Sequence, residues 1–143
     1  MSFNYELEKT LHENNYGFIL LEFKPNLILS GTTDNVINLW SLYTNKKIYL
    51  FIEHTLWENC LIKITTNHYA SRSNDNKIIV WNFFQKTEGE IEEHSDCILT
   101  IILLDNNNIC SGSADNSIKI WNLSEKKCIM NMLGHMKLVK CLS

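Results

Sequence analysis

The sequence predicts an all-β fold assembled from one unit of four short antiparallel strands copied in tandem, and three observations carry that expectation. The string Ser30-Gly31-Thr32-Thr33-Asp34-Asn35-Val36-Ile37-Asn38-Leu39-Trp40 returns over Ser71 to Trp81 and again over Ser111 to Trp121. Its tryptophans and its aspartates both step by 41 and then by 40 residues. Four of the five histidines, His12, His54, His94 and His135, keep nearly the same time at intervals of 42, 40 and 41, and only His68 falls off the lattice. Between these landmarks helical periodicity is missing. Short runs of Ile, Leu, Val and aromatic residues are instead broken by Asn, Asp, Ser and Lys about every ten residues, the pattern of many short antiparallel strands. A fixed period of ~40 residues means one supersecondary unit repeated along the chain.

Each unit divides into four strands. In the first they are expected near Phe18–Phe23, Leu27–Gly31, Val36–Ser41 and Lys47–Ile52. The second gives Cys60–Thr65, Tyr69–Arg72, Ile78–Asn82 and Thr87–Ile91, and the third Ile98–Leu103, Ile109–Gly112, Ile118–Asn122 and Lys127–Met132. Between second and third strands lie Thr33-Asp34-Asn35, Asn74-Asp75-Asn76 and Ala114-Asp115-Asn116. Asp and Asn tolerate the left-handed conformation and bond their own backbone, so each triplet reads as a tight turn. Glu6–Thr10 reads as the fourth strand of a preceding unit and Leu138–Leu142 as the first strand of a following one, which sets boundaries at 1–11, 12–53, 54–93, 94–134 and 135–143. Four strands per ~40-residue repeat make one blade, so the fold class is all-β, a partial β-propeller of four-stranded antiparallel blades in a single array.

Composition narrows the function. The 143 residues are 45% hydrophobic, enough for a packed core. Net charge is −3 and Arg72 is the sole arginine, so there is no basic stripe to neutralise phosphates and no nucleic-acid partner is expected. No apolar run nears the ~18 residues that span a bilayer, and Met1 to Glu6 carries no charged-then-apolar signal, so a soluble, cytoplasmic or nuclear protein is expected. Five cysteines, an odd number without framework spacing, fit a reducing compartment.

Gly134-His135, the three Ser-x-x-x-Asp-Asn-x-x-x-x-Trp strings and the gap of 21–22 residues from histidine to aspartate resemble the WD-repeat β-propeller family over almost the whole chain. The copies depart from its consensus where Ser41, Asn82 and Asn122 follow the tryptophans, and where Leu11, Glu53 and Glu93 precede the histidines. The resemblance implies a buried structural relay of imidazole, hydroxyl, carboxylate and indole in each blade. Its members here are His12, Ser30, Asp34 and Trp40, then His54, Ser71, Asp75 and Trp81, then His94, Ser111, Asp115 and Trp121. Such a relay answers the need of buried polar groups for partners.

Other chemistries compete for these residues. His, Ser and Asp together invite a hydrolase reading, but a catalytic triad needs one exposed nucleophile at one pocket. A set repeated every ~40 residues, each time with tryptophan, fits a structural device of a repeat array. Zinc would need Cys-x-x-Cys or His-x-x-x-His spacing, and neither occurs, so no metal and no cofactor are expected. Cys60 and Cys141 each follow a lattice histidine by six residues, Cys110 aligns with Ala70 and Cys128 falls in a fourth strand; all four read as small core residues. Lys46, Lys47, Lys86, Lys126 and Lys127 recur after the tryptophans and read as solvated turns along one rim.

The resemblance implies a non-enzymatic scaffold that presents a rigid surface for assembling a multiprotein complex. Docking is expected on the face of the histidine loops and Asp-Asn turns. The positions carried over are Thr33, Asn74 and Ala114 before the aspartates, and Trp57, Asn59, Cys97, Leu99, Leu138 and Lys140 after the histidines, with Tyr16 or Phe18 in the first unit. Trp57 stands off the tryptophan lattice and reads equally as an interface anchor or as a residue that folds back onto the rim or replaces a core residue, since Glu58 occupies the apolar position that Ile98 and Val139 hold in other units. Arg72 takes the place of Gly31 and Gly112 on a strand, so an arginine cluster for phosphopeptides is not expected. Propellers close with ~4–8 blades. The favoured expectation is therefore a piece of a longer propeller, with self-association, an open arc or a subunit completing another chain's propeller as alternatives.

Overall fold

The computed structural model describes residues 17–142 apart from 33, 53, 57 and 85, with the backbone alone at 17–19, 23, 58, 59 and 86–88. The described residues form twelve strands and no helix. They are β1 (Gly17–Lys24), β2 (Leu27–Thr32), β3 (Ile37–Ser41), β4 (Lys46–Phe51), β5 (Glu58–Lys63), β6 (His68–Ser73), β7 (Ile78–Asn82), β8 (Lys86–Ile91), β9 (Ile98–Leu103), β10 (Asn108–Ser113), β11 (Ile118–Asn122) and β12 (Lys127–Met132). Consecutive strands pair antiparallel in three four-stranded sheets, β1 to β4, β5 to β8 and β9 to β12. Neighbouring sheets meet along their first strands, β1 beside β5 and β5 beside β9. The inner strands thus sit close together while the outer ones splay, which gives each sheet its place as a blade.

The strands lie where hydrophobic patterning puts them, with ends displaced by up to two residues. The expected Cys60–Thr65 becomes β5 (Glu58–Lys63) because the amides of Ile64 and Thr65 both turn to the His68 carbonyl, at 2.9 and 3.1 Å, and leave the ladder. Asn35, Asn76 and Asn116 carry φ of 66°, 71° and 67°, so the left-handed step of each turn falls on the residue after the aspartate. Two irregularities recur in every blade. One residue of the fourth strand, Ile48, Glu88 or Ile129, is skipped in pairing beside the tryptophan. One residue of the first strand, Phe18, Asn59 or Leu99, is skipped near its start. Such bulges twist a strand and re-aim side chains. Glu6–Thr10 lies outside the described residues. Leu138–Leu142, expected as a first strand, forms no ladder among the described residues; its Val139 amide donates to the Ser113 carbonyl at 2.9 Å.

The core lies between blades. Side chains alternate across a strand, so each sheet has a leading face, toward the blade before it, and a trailing face. Leu29, Ile37, Leu39 and Phe51 on the trailing face of blade one pack against Leu61, Tyr69, Ile79 and Trp81 on the leading face of blade two. The same positions one period on, Ala70, Ile78, Val80 and Ile91, pack against Ile101, Ile109 and Trp121 of blade three. Tyr69 stacks on Trp81 with centroids 5.9 Å apart, and Phe51 of blade one meets the edge of both rings. Full burial of such side chains contributes roughly 1.5–3 kcal/mol each.

Candidate functional site

In blades two and three the tetrads come together within single hydrogen bonds. The Trp81 indole donates to Ser71 Oγ at 2.7 Å, Ser71 Oγ lies 2.7 Å from His54 Nε2, and His54 Nδ1 lies 2.9 Å from Asp75 Oδ2. In blade three Trp121 donates to Ser111 Oγ at 2.7 Å, with Ser111 to His94 Nε2 at 2.6 Å and His94 Nδ1 to Asp115 Oδ2 at 2.7 Å. One proton arrangement satisfies every group. The indole N–H fills a serine lone pair, the serine O–H donates to Nε2, and a neutral imidazole donates from Nδ1 to the carboxylate. An imidazolium would direct a second donor at the serine and leave its O–H without an acceptor. Burial lowers the His94 pKa, and the Asp115 carboxylate only partly opposes this, in keeping with the neutral ring. In blade one Trp40 donates to Ser30 Oγ at 2.8 Å, and Asp34, exposed, accepts from the Thr32 hydroxyl. His12 lies outside the described residues.

The carboxylates fasten loop to turn. Asp75 also accepts from the Thr55 amide at 2.9 Å and the Lys77 amide at 3.0 Å. Asp115 accepts from the amides of Ser95 at 3.1 Å and Ser117 at 2.9 Å, and from the Ser117 hydroxyl at 2.6 Å. Burial raises both carboxyl pKa values, but the donors outweigh it and hold both below the ordinary carboxylate value, Asp115 most strongly. A second hydroxyl lattice completes the fastening, and the sequence reading missed it. Ser73 Oγ donates to the Leu56 carbonyl at 2.7 Å and accepts from the Asp75 amide at 3.2 Å. Ser113 Oγ reaches the carbonyls of Asp96 and Cys97 at 2.9 and 3.0 Å and accepts from the Asp115 amide at 3.1 Å. The signal was present as a hydroxyl residue, Thr32, Ser73 or Ser113, two places before each aspartate.

Ser–His–Asp connectivity here matches that of a hydrolase triad. Ser71 and Ser111 are nevertheless fully buried, each with an indole N–H on its oxygen, so no acyl carbon reaches them in the folded chain. His68, off the lattice, sits between Thr65 Oγ1 at 2.8 Å and Asn82 Nδ2 at 3.0 Å in a turn of blade two.

Several carried-over surface positions fall in one row. The Cys97 thiol lies 3.4 Å from the Asn74 carbonyl of the preceding blade, and the Ala114 amide donates to the Cys97 carbonyl at 2.9 Å. Ser113, next to Ala114, bonds Val139, which Leu138 and Lys140 flank. Asn74, Cys97 and Ala114 are half-buried, and Leu138 and Lys140 are exposed. Burial, with Asp96 beside it, pushes the Cys97 thiol up, which opposes thiolate reactivity. Leu99, half-buried, is the skipped residue of β9, and Asn59 holds that place in β5, where its backbone alone is described. Thr33, Trp57 and Tyr16 lie outside the described residues. Arg72 spans two blades, its Nη1 donating to the Ile98 carbonyl at 2.7 Å. Lys46, Lys47, Lys126 and Lys127 lie exposed at the opposite end of the sheets.

Comparisons with known proteins agree with this geometry. A model of the WD domain, G-beta repeat, matches residues 85–122. The WD repeat-containing protein 55 homolog of Dictyostelium discoideum is 27% identical over 93 residues, 64% of this chain and 23% of that protein. Among solved structures, U3-55K superposes with a TM-score of 0.78 at 20% identity, covering 89% of this chain and 42% of that one. The RRP9 WD40 repeats give 0.79 at 20% identity, covering 89% and 41%, and the WD40 beta propeller domain of Doa1 gives 0.80 at 22% identity, covering 90% and 44%. The chain thus spans under half of these propellers and about a quarter of the curated relative. With three four-stranded antiparallel blades and their repeated strings, the chain has the blade fold of the WD40 β-propellers it is similar to, and residues 85–122 match a WD domain, G-beta repeat.

Proposed function

We propose that the chain is a non-enzymatic, soluble, intracellular scaffold that presents its turn face to partner proteins in a multiprotein assembly. The observation that carries this reading is the row Asn74, Cys97, Ala114, Leu138 and Lys140. It runs from blade two across blade three into the segment that follows; the Asp75 and Asp115 carboxylates fasten the loops of the two blades, and the Val139 amide ties the segment to the Ser113 carbonyl. A surface built this way loses little freedom on binding, which favours affinity from modest contacts. The five positions hold one charge, apolar atoms and backbone carbonyls, a composition suited to a protein surface and poor for nucleic acid. The tetrads support the face as structure and take no part in contact. By their place in the repeat, Trp57, Thr33 and Asn59 are further candidates for contact.

The test pairs Leu138→Asp with Lys140→Glu. Partners captured by the wild type should be lost from both variants at unchanged melting temperature; retention of every partner overturns the face. The rival hydrolase reading is tested with a serine-reactive fluorophosphonate. Labelling of Ser71 or Ser111 in the folded chain would establish a nucleophile there and overturn the scaffold-only role.

A further inference from the structure

An apolar groove opens at the outer rim between blades one and two, where the β7–β8 turn lies against β4. Leu39 and Phe51 form its floor, Ile48 and Tyr49 one wall, and Phe83 and Phe84 the other, around about 270 Å³. Both walls belong to blades that pack on each other within the chain. Ile48, the skipped residue of β4, is 49% exposed and Phe84 is 72% exposed, so carbon faces water above a buried floor. At the next junction Lys126 crosses the same place. A Cβ on Gly89 would lie 2.6 Å from its Nζ and 2.9 Å from its Cδ. Tyr49 holds the repeat position of Gly89 in blade one, and its Cβ alone would block that path.

The charge around the groove has one sign. The Lys24 ammonium stands 4.9 Å and 5.3 Å from the ring centroids of Phe83 and Phe84. The turns of blades one and two at this end, residues 24–27, 42–47, 63–68 and 83–86, hold Lys24, Lys46, Lys47, Lys63 and Lys86 and no carboxylate. Glu22 on β1 stands opposite Ile28, on the other face of the sheet. The matching turns of blade three carry Asp105 and Glu125, and the whole chain is at −3, so the excess of lysine is local.

We propose that this groove binds an acidic peptide segment of a partner protein, with an aliphatic or aromatic side chain in the socket and flanking carboxylates toward Lys24 and the lysine turns. Charge complementarity selects the acidic residues, and the apolar floor selects the anchor. The rings favour a side chain over a nucleic-acid base. Tyr49 meets Phe51 edge to face at 4.8 Å and Phe83 meets Phe84 the same way at 5.3 Å, which makes a socket and not a flat stacking platform. The groove is separate from the turn face, which lies at the other end of the sheets.

Fluorescence anisotropy of a labelled peptide in which Leu and Phe alternate with Glu, titrated with the full chain, tests the proposal. The wild type should bind it, with affinity that falls as salt is raised. Phe84→Ser, matching Ser124 at the same place in blade three, should weaken binding about tenfold or more. Lys24→Gln should weaken it and flatten the salt dependence. Peptides with Gln for Glu, or with Ala for Leu and Phe, should bind less tightly than the parent. Leu138→Asp, on the turn face, should bind the peptide as the wild type does, so the two surfaces fail separately. No binding by the wild type, or equal binding by Phe84→Ser, overturns the proposal. A labelled oligouridylate bound in preference to the peptide overturns it in favour of nucleic acid. Ile48→Asp, exposed on the facing wall, repeats the Phe84 test from blade one, and far-UV circular dichroism checks that each variant is folded.

Discussion

Ser111→Ala is the most direct probe of what the tetrads do. The substitution removes one oxygen, and the site is buried throughout. It takes the acceptor from the Trp121 indole at 2.7 Å and the donor from His94 Nε2 at 2.6 Å. A buried polar group left without its partner costs about 1–3 kcal/mol. Two such groups, sharing one relaxed pocket and so less than additive, give a loss of about 2–4 kcal/mol. In a domain of this size that lowers the melting temperature by roughly 5–15 °C. Urea unfolding followed by far-UV circular dichroism should show a lower midpoint at unchanged slope. Trp121→Phe removes the indole donor but leaves the serine bonded to His94. Combined with Ser111→Ala it should be sub-additive by about 1 kcal/mol, since the stranded N–H is gone. A loss for Ser111→Ala below about 0.5 kcal/mol, the range of ordinary surface changes, would refute the relay as a stabilising device.

The remaining expectations follow from the same geometry. His94 and both tetrad carboxylates are held below their ordinary pKa values, so the unfolded chain binds more protons as acid is added. Stability should be full above about pH 6.5, decline below it as unfolded histidine titrates, and decline again below about pH 4 as unfolded carboxylates do; a urea midpoint level from neutrality to pH 5 removes the His94 part. Asn76 holds a φ of 71°. Asn76→Ala should therefore cost about 1 kcal/mol, while Asn76→Gly should cost less or nothing, and equal losses in urea melts would count against a conformational origin. A Cβ on Gly112 would lie 2.6 Å from Val139 Cγ1 and 2.9 Å from Thr100 Cγ2. Gly112→Ala should cost about 1–3 kcal/mol by overpacking, and Val139→Ala in the same chain should restore part of it.

The repeat itself, the four strands of each blade, their antiparallel succession and the Asp-Asn turns were all determined by the sequence alone. Each rests on local chemistry, such as alternation of apolar side chains or the tolerance of Asn for positive φ, and copying every ~40 residues averages out local exceptions. The tetrads that meet in blades two and three were legible for the same reason, since constant spacing marks residues that meet inside one blade. Tertiary structure alone decided matters that depend on neighbours in space. It set Ile79 and Ile78 on opposite faces toward different blades. It showed Ser73 and Ser113 tying loops to turns, although their spacing was plain to see, because a serine's partner there is a backbone carbonyl that no residue type announces. It carried Arg72, which stands in a glycine's place, to the Ile98 carbonyl of the next blade. It also separated Ile118 from Ile37 and Ile78, three isoleucines at one repeat position. Burial is a property of the adjoining surface, and a period in the chain cannot tell whether the next surface is present.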